Sequence, residues 1–282
     1  MTLEIPSAWA ELADRLASSA WRRLIVFGGT DVGKSSFLRF LARILVERRQ
    51  TVALLDTDLG QKMVGPPACV VLAQATADGE LAVEHIRFVG ETSPAANMAG
   101  VIAASARLAA AACADRLLIN TSGLIAGPGI ALKRWKLEAL GADQIVALAR
   151  GDELAPILAP IVATTVHRLG PSPAGRRKSP AERERNRVGA LLQALGDLRP
   201  LALPDLLAED LRRVPVPLGA VRLCGLADDR GEDVGLGLAL WAEEVERHEV
   251  RTGLALERLH RLRLGMPLSE FGDLPGASAK GS

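Results

Sequence analysis

The amino-acid sequence is 282 residues long and 49% hydrophobic, which is enough for a large core in one domain, with or without a small appendage. The formal net charge of +1 excludes a globally basic nucleic-acid binder, so any such surface must come from a local cluster of charges. With 3% aromatic residues and no Tyr, a broad base-stacking platform is not expected either.

Neither a disulfide framework nor a membrane segment is expected. Cys69, Cys113 and Cys224 are odd in number and far apart in the sequence. The N-terminus lacks the basic and apolar regions of a signal peptide, and the Ala-rich stretch 98–112 is too short to span a bilayer. The sequence therefore favours a cytoplasmic location and no membrane partner.

In chain order, the apolar pattern first predicts an amphipathic helix from Ser7 to about Ser19 and a buried strand at Arg23–Phe27. A glycine-rich loop, a helix to about Glu47 and a second strand at Val52–Leu55 follow. Further strands are predicted at Cys69–Leu72, Ile86–Val89, Leu117–Ile119, Ile145–Leu148 and Ala163–Val166, with helices near Ala95–Ala112, Ile130–Leu140 and Glu153–Ile161. This alternation predicts an α/β fold with a mostly parallel, P-loop NTPase-type sheet flanked by helices. Ligands of such sheets bind beyond the carboxyl ends of the strands.

The pattern changes near Gly170, where a polar, proline-bearing and basic segment begins. We predict a P-loop domain over residues 1–198, which includes a basic helical segment at about 171–198. Short β-like stretches predict a small β-rich C-terminal subdomain over residues 199–271. Residues 272–282 are expected to form a flexible tail.

The segment Gly28–Ser35 (GGTDVGKS) matches the phosphate-binding loop G-x-x-x-x-G-K-S between a predicted strand and a predicted helix, which is the context that this motif requires. Its backbone N–H groups and the helix N-terminus favour the phosphates of ATP or GTP. Lys34 is expected to neutralise the β- and γ-phosphates, and the Ser35 hydroxyl to ligate Mg²⁺. The predicted nucleotide-binding residues are Gly28, Gly29, Thr30, Asp31, Val32, Gly33, Lys34, Ser35 and Ser36.

Two carboxylates follow the second predicted strand, within residues 56–61 (DTDLGQ). Residues i and i+2 of an extended chain project alike, so Asp56 and Asp58 could both face the cleft. There they could hold Mg²⁺ or accept the proton of an attacking hydroxyl. The alternative is a pair of aspartates that only cap the loop. Gln61 could orient a water molecule or a hydroxyl group.

Two further strand ends carry polar residues that could be structural or could contact a ligand. In residues 90–97 (GETSPAAN), Thr92 or Ser93 could cap the next helix, with Pro94 in its first turn. Residues 120–123 (NTSG) follow another predicted strand and are equally ambiguous.

Between Arg168 and Arg187 the chain has seven Arg or Lys residues and two Glu residues, a local net charge of +5. A solvated charged helix is one interpretation of this run. In a P-loop enzyme, the alternative is a lid whose arginines close over the transferring phosphate. Arg183 and Arg187 are spaced i, i+4 and would share one helical face.

Four segments occur together in order: GGTDVGKSS, LLDTDLGQKMVGPP, FVGETSPAAN and LLINTSGLIAGPG. Together they resemble the polynucleotide 5′-hydroxyl kinase family, which includes the RNA kinase of the mRNA cleavage-and-polyadenylation machinery and the kinase of ribosomal RNA processing. The resemblance covers about Ile25 to Arg187. It implies transfer of the γ-phosphate of a nucleoside triphosphate to the 5′-hydroxyl of RNA or DNA.

The resemblance also implies roles for particular residues. Lys34 and Ser35 match the family's phosphate and Mg²⁺ residues. Asp58 and Gln61 match its catalytic D-x-x-Q, in which the aspartate takes the hydroxyl proton. The predicted site comprises catalytic Lys34, Asp58, Gln61, Arg176 and Arg183; nucleic-acid-binding Thr92, Ser93, Asn97, Arg177 and Arg187; and metal-binding Ser35 and Asp58.

Leu124 stands where some members of that family have an aromatic residue that stacks on the terminal base, so base contact should be weaker here by about 1–3 kcal/mol. Trp135 could substitute for that aromatic residue. The expected partners are ATP or GTP with Mg²⁺, and single-stranded RNA or DNA with a 5′-OH end, with no oligomeric state assigned. Two alternatives stay open, a P-loop kinase of a small-molecule acceptor and a non-catalytic nucleotide-dependent switch or scaffold.

Overall fold

The computed structural model describes residues 5–173, 176–201, 203, 207, 213–217, 219–241, 249–254 and 259–271. Its helices are α1 (Ser7–Ser18), α2 (Lys34–Glu47), α3 (Met98–Ala111), α4 (Pro128–Leu140), α5 (Ala155–Leu158) and α6 (Pro180–Leu195). Its strands are β1 (Arg23–Gly28), β2 (Val52–Asp56), β3 (Cys69–Ala75), β4 (Leu81–Phe88), β5 (Arg116–Asn120), β6 (Gln144–Leu148), β7 (Thr165–Leu169), β8 (Arg199–Leu201), β9 (Val221–Ala227), β10 (Asp233–Leu240), β11 (Glu249–Thr252) and β12 (Arg261–Pro267). A 3-10 turn, Leu268–Phe271, follows β12.

The described strands belong to one mixed sheet with the order β12-β9-β10-β4-β3-β2-β5-β1-β6-β7, and β11 and β8 extend from β10. The five neighbours β2, β5, β1, β6 and β7 are parallel. The other pairs are antiparallel. The predicted α/β fold, with parallel strands flanked by helices, is confirmed.

The antiparallel part of the sheet begins at β3 and was not foreseen in the sequence. A parallel neighbour requires a crossover connection of a dozen or more residues, usually with a helix. The links from β2 to β3 and from β3 to β4 contain no helix. Each of these strands therefore runs opposite to the one before it.

The side chains of the parallel strands alternate between two buried layers. In β1, Leu24 and Val26 pack in one cluster with residues of α1 and α2, among them Trp9. Ile25 and Phe27 pack on the opposite face with residues of α3, α4 and α5. Because helices cover both faces of the sheet, a ligand is expected to bind at the loops that follow the carboxyl ends of the parallel strands.

A buried cluster of charged residues connects the C-terminal strands to β4. The fully buried carboxylate of Asp233, on β10, accepts a hydrogen bond from the backbone N of Phe88 at 3.0 Å. The guanidinium groups of Arg87 and Arg263 contact the same carboxylate. The boundary between the two predicted domains stays a prediction, and the predicted tail, residues 272–282, lies outside the described residues.

Several predicted elements have other bounds in the structure: β4 begins five residues earlier than predicted, β3 ends three residues later and α3 begins three residues later. The strand predicted at Ala163–Val166 is β7, two residues later. The helix predicted at Glu153–Ile161 is the single turn α5, because Pro160 follows it and its preceding residue is biased away from the helical conformation. Within the described part of the chain, no helix combines the length and apolar character that a membrane span requires.

Candidate active site

The phosphate-binding loop occupies its predicted place between β1 and α2. Gly28 ends β1, and a Cβ atom there would lie 2.6 Å from the carbonyl oxygen of Leu148. Gly33 has a φ of +100° and directly precedes Lys34, the first residue of α2. These two positions require glycine, the first for lack of space and the second for its backbone conformation.

Lys34 is buried at the base of this loop, and its Nζ donates a hydrogen bond to the carbonyl oxygen of Gly29 at 2.6 Å. Burial lowers the pKa of Lys34 to about 8, and the nearby carboxylates of Asp58 and Asp31 oppose this effect only in part. A phosphate beside Nζ would favour the charged form. The position is therefore suited to an anionic ligand.

A cleft of about 1140 Å³ opens where the parallel strands end, between the loops after β1, β2 and β5, the segment before α3, and α6. The predicted site residues that line it are Thr30, Asp31, Gly33, Lys34, Ser35, Ser36, Asp58, Gln61, Thr92, Ser93, Arg176, Arg183 and Arg187. The predicted residues that do not line it are Gly28, Gly29, Val32, Asn97 and Arg177. The structure thus brings most of the predicted site together.

Asp56 does not line the cleft, so the expectation that both strand-end aspartates face it is wrong. Its fully buried carboxylate accepts hydrogen bonds from the backbone N of Met63 at 2.7 Å and from Nδ2 of Asn120 at 2.9 Å. Nζ of Lys62 lies 3.3 Å from the same carboxylate. Asp56 therefore organises the loop after β2.

Asp58 is the carboxylate of this loop that lines the cleft. Its Oδ1 accepts hydrogen bonds from the backbone N of Gly60 at 3.0 Å and of Gln61 at 3.1 Å, whereas no described residue donates to Oδ2. Nε2 of Gln61 donates to the carbonyl oxygen of Arg183 at 3.0 Å. The loop thus fixes one oxygen of Asp58, leaves the other to a ligand, and is linked to α6.

Helix α6 follows Ser179, which begins the helix with a capping box, and it lies against the cleft. Nη2 of Arg183 donates to Oδ2 of Asp31 at 2.6 Å, and the backbone N of Lys178 donates to the same oxygen at 2.9 Å. Burial alone would raise the pKa of Asp31, but the contacts with Arg183 and Lys178 outweigh it and lower the pKa. Residues 174–175 of the predicted lid lie outside the described residues.

The arginines of this segment face two ways. Arg183 and Arg187 both line the cleft, as expected from their i, i+4 spacing. Arg176 also lines it and pairs with Glu182 at 2.6 Å, whereas Arg177 is exposed outside it. The segment is therefore not an entirely solvated helix. The contact of its arginines with a phosphate stays a prediction.

The segment before α3 brings Thr92 and Ser93 to the cleft, and neither residue caps the helix. Asn97 is the cap, because its side chain accepts a hydrogen bond from the backbone N of Gly100 at 2.9 Å. Its Nδ2 donates to the carbonyl oxygen of Val89 at 3.1 Å. The predicted contact of Asn97 with nucleic acid stays a prediction.

Two fully buried lysines on α4, Lys133 and Lys136, were not assigned from the sequence. Nζ of Lys133 donates to the carbonyl oxygen of Ser122, and Nζ of Lys136 donates to Oγ1 of Thr57 at 2.6 Å. Burial lowers the pKa of Lys136 to about 7 and lowers that of Lys133 as well. Positions 133, 136 and 140 form one helical stripe that ends in the buried Leu140, and this periodicity was the available signal.

Leu124 stands at the position where some members of the resembled family have an aromatic residue that stacks on a base. Leu124 lines the cleft. Trp135, on α4, is 47% exposed and does not line it. Trp135 therefore does not substitute for that aromatic residue in this arrangement.

A profile of the family described as mRNA cleavage and polyadenylation factor CLP1 P-loop matches residues 28–193, more than half of the chain. The chain belongs to this family. All the cleft-lining residues of this CLP1 P-loop protein fall within the matched range. The family resemblance drawn from the four sequence segments is thereby confirmed.

Curated relatives of this CLP1 P-loop protein are named polyribonucleotide 5′-hydroxyl-kinase. The relative from Pyrococcus furiosus is 36% identical over 171 residues, which cover 58% of this chain and 48% of the relative. The relative from Methanocaldococcus jannaschii is 37% identical over 144 residues, which cover 49% of this chain and 40% of the relative. The chain thus spans about half the length of the curated relatives it matches.

Solved structures support the fold of this CLP1 P-loop protein. A complex of wild-type Clp1p with Pcf11p matches with a TM-score of 0.66 and 11% sequence identity. The match covers 91% of this chain and 78% of that chain. At this identity the likeness shows a shared architecture.

The side-chain oxygens of this CLP1 P-loop site suit a hard divalent cation such as Mg²⁺. Ser35 and Asp58 line the cleft, and Oδ1 of Asn120 is buried without a partner among the described residues. In the described part of the chain, no group of three or more His, Cys, Asp or Glu residues could hold a metal ion. Ser35 and Asp58 are the residues that would hold such a cation in the cleft.

Proposed function

We propose that this chain is an enzyme that transfers the γ-phosphate of ATP or GTP to the 5′-hydroxyl end of single-stranded RNA or DNA. One observation carries the proposal: a single cleft gathers Lys34 of the P-loop, an available carboxylate oxygen of Asp58 and Arg183 of α6. The names of the archaeal relatives support the same reaction. We also propose a cytoplasmic location and a role in RNA processing.

The donor nucleotide binds through the loop after β1. The backbone N–H groups of this loop and the start of α2 face the phosphates, and Nζ of Lys34 exchanges its contact with Gly29 for the β- and γ-phosphate oxygens. Ser35 and Asp58 would hold Mg²⁺ there. When bound, this cation neutralises the charge of the phosphate oxygens.

Asp58 acts on the acceptor. Because Gly60 and Gln61 fix its Oδ1, Oδ2 accepts the proton of the 5′-hydroxyl. The hydroxyl oxygen forms a bond to the γ-phosphorus while the bond to the β–γ bridging oxygen breaks. The leaving nucleoside diphosphate keeps that electron pair. Gln61, which bonds to the carbonyl oxygen of Arg183, keeps this loop aligned with α6.

Arginines of the lid stabilise the charge of the transferring phosphoryl group, and we assign this role to Arg176 and Arg183, which line the cleft. The acceptor strand contacts Thr92, Ser93 and Arg187 on the walls of the same cleft. We assign Arg177 and Asn97 a weaker part in binding the acceptor strand. Arg177 is an exposed charge beside the cleft, and Asn97 is the cap of the helix that follows Thr92 and Ser93. A small acceptor would need none of these strand contacts.

Transfer of labelled γ-phosphate to matched RNA and DNA oligonucleotides with a 5′-OH end tests the proposal. We expect labelled product from 5′-OH strands and none from 5′-phosphorylated strands. Lys34→Ala and Asp58→Ala should abolish transfer while the thermal unfolding midpoint stays close to that of the wild type. Asp152→Ala, an exposed aspartate outside the cleft, is the matched control and should keep full activity.

Two outcomes would instead support the alternatives. Transfer to a nucleoside, with oligonucleotide binding that does not respond to salt, indicates a small-molecule kinase. If about three phosphates of a strand are contacted, the slope of log K on log salt should be roughly −2. Nucleotide binding without transfer to any 5′-OH end indicates a switch or scaffold.

A further inference from the structure

At the end of β5, two residues that line the cleft carry buried side-chain oxygens to which the proposed reaction assigns no role. Asn120 and Ser122 both line the cleft and are 2% and 4% exposed. Oδ1 of Asn120 and Oγ of Ser122 have no hydrogen-bond partner among the described residues. Buried polar groups are nearly always paired, so two unpaired oxygens on residues of the same cleft point to a ligand.

The orientation of the Asn120 amide is fixed by its neighbour. Nδ2 lies 2.9 Å from Oδ1 of Asp56, and a carboxylate that organises its loop as an acceptor requires a donor there. The backbone carbonyl oxygen of Asn120 accepts two hydrogen bonds from Thr57, one from its hydroxyl at 2.7 Å and one from its backbone N at 3.1 Å. Oδ1 of Asn120 is therefore the amide atom that points away from Asp56. Hydrogen bonds hold both the side chain and the backbone of this residue.

The topology places these atoms between the two halves of the site. Strand β5 lies between β1 and β2, with Asn120 in register with Asp56. After the strand, the chain packs directly against the P-loop, because a Cβ atom on Gly123 would lie 2.3 Å from Oγ1 of Thr30. Nζ of Lys133 donates to the carbonyl oxygen of Ser122 from the side of α4. The β5 end thus adjoins both the P-loop and the loop of Asp58.

The hydrogen-bonding capacity of the two unpaired oxygens indicates which kinds of ligand atom can bind to them. Oδ1 of Asn120 can only accept, so an unprotonated phosphate oxygen cannot satisfy it, whereas a water molecule held by a divalent cation can. Oγ of Ser122 can donate, which suits a phosphate oxygen. A metal-bound triphosphate offers both kinds of group within one ligand.

We propose that Asn120 and Ser122 are binding residues for the metal–triphosphate unit, with Oδ1 of Asn120 accepting from a water molecule of the cation and Oγ of Ser122 donating to a phosphate oxygen. The proposal rests on the proposed function for the nature of the ligand. It adds a third wall, the end of β5, to the site formed by the P-loop and Asp58.

The test compares the affinity for a non-hydrolysable ATP analogue in Mg²⁺ and in EDTA, by titration calorimetry, without any acceptor strand. Ser122→Ala removes an atom that has no partner in the fold, so the thermal midpoint should not fall. Its affinity should fall about 3- to 10-fold in both media, the effect of one hydrogen bond. Asn120→Leu should lose about tenfold in Mg²⁺ and keep its affinity in EDTA.

Thr57→Val is the matched control. Thr57 belongs to the same buried network, through Asn120 and Lys136, but it does not line the cleft. Its loss should lower the thermal midpoint and leave the ratio of the two affinities unchanged. This control separates a general disturbance of the network from the loss of a contact to the cation.

Several results would overturn the proposal. An equal loss in Mg²⁺ and EDTA for Asn120→Leu would exclude the contact with the cation. An unchanged analogue affinity combined with weaker binding of a 5′-OH oligonucleotide, measured as a Kd by the same calorimetry, would assign Asn120 to the acceptor instead. Wild-type affinity in Ser122→Ala would exclude the phosphate contact. Because no measurement here uses phosphoryl transfer, failure of the kinase activity itself would be seen separately in the transfer assay.

Discussion

In the antiparallel half of the sheet, buried charged groups pair with each other, whereas two buried lysines of the parallel half bond to uncharged oxygens. At the junction of β4 and β10, the carboxylate of Asp233 contacts Arg87 and Arg263. Around the cleft, Lys34 and Lys136 bond to carbonyl or hydroxyl oxygens, and burial lowers the pKa of each. The paired cluster serves to attach strands, whereas Lys34, which lines the cleft, offers a place to an anionic ligand.

The largest effect that the comparison predicts is on catalysis in the parallel half. Asp58→Asn keeps the size of the side chain but removes the proton acceptor, so kcat should fall by about 10²- to 10⁴-fold. Steady-state kinetics with a 5′-OH oligonucleotide measures this loss, with Asp152→Asn as the exposed control. A kcat within threefold of the wild type would remove Asp58 from proton transfer.

In the antiparallel half, the same kind of change should affect stability and leave catalysis intact. Asp233→Asn removes the negative charge between two arginines, and the free energy of unfolding should fall by about 3 kcal/mol. Urea denaturation measures the loss, and kcat per folded molecule should remain within twofold of the wild type. Arg107→Ala, which breaks an exposed ion pair with Glu232 in the same region, should cost less than about 1 kcal/mol. Equal losses in the two variants would contradict the distinction between buried and exposed pairs.

A smaller effect is expected at Asp31, the carboxylate of the P-loop that pairs with α6. Asp31→Asn should change the free energy of unfolding by less than about 1 kcal/mol, because its partner Arg183 is partly exposed. Amide hydrogen exchange in residues 180–195 should nevertheless become faster, since the helix loses a contact with the loop. Arg176→Ala, which breaks the exposed pair with Glu182, should affect only the first turn. Unchanged exchange in Asp31→Asn would show that α6 is held by other contacts.

The smallest effect concerns pH. The pKa of Lys34 is about 8 without a phosphate partner, and a bound phosphate raises it, so nucleotide binding takes up a proton above that pH. Affinity should therefore fall as pH rises, by about fivefold between pH 8 and 9. Calorimetry in buffers of different ionisation enthalpy measures the proton uptake directly. Lys34→Met should abolish it, and a proton uptake that persists in this variant would assign it to another group.

The sequence predicted the donor half of the site better than its surroundings. Gly28 to Ser35 lie where the motif placed them, because the loop's conformation is dictated by its own glycines and by the flanking strand and helix. The direction of Asp56 could not be predicted, since it depends on Asn120 from another strand. Local pattern cannot report contacts between residues 64 positions apart.

The same limit explains the other differences. Lys133 and Lys136 resemble ordinary surface lysines until α4 packs on the sheet, although their spacing with Leu140 carried a signal. Asn97 could be recognised as a possible cap by residue type, but Thr92 and Ser93 were equally suitable until the start of α3 was known. The lid contact between Arg183 and Asp31 joins distant parts of the chain, and its charge pattern alone did not distinguish a lid from a solvated helix.

Helix α6 contacts both sides of the cleft, with the side chain of Arg183 on Asp31 and its carbonyl oxygen on Gln61. These two contacts connect the P-loop and the loop of Asp58 through one residue of α6. For the proposed reaction, a displacement of Arg183 would therefore reach the nucleotide side and the acceptor side of the cleft together, so the affinities for the two substrates should depend on each other.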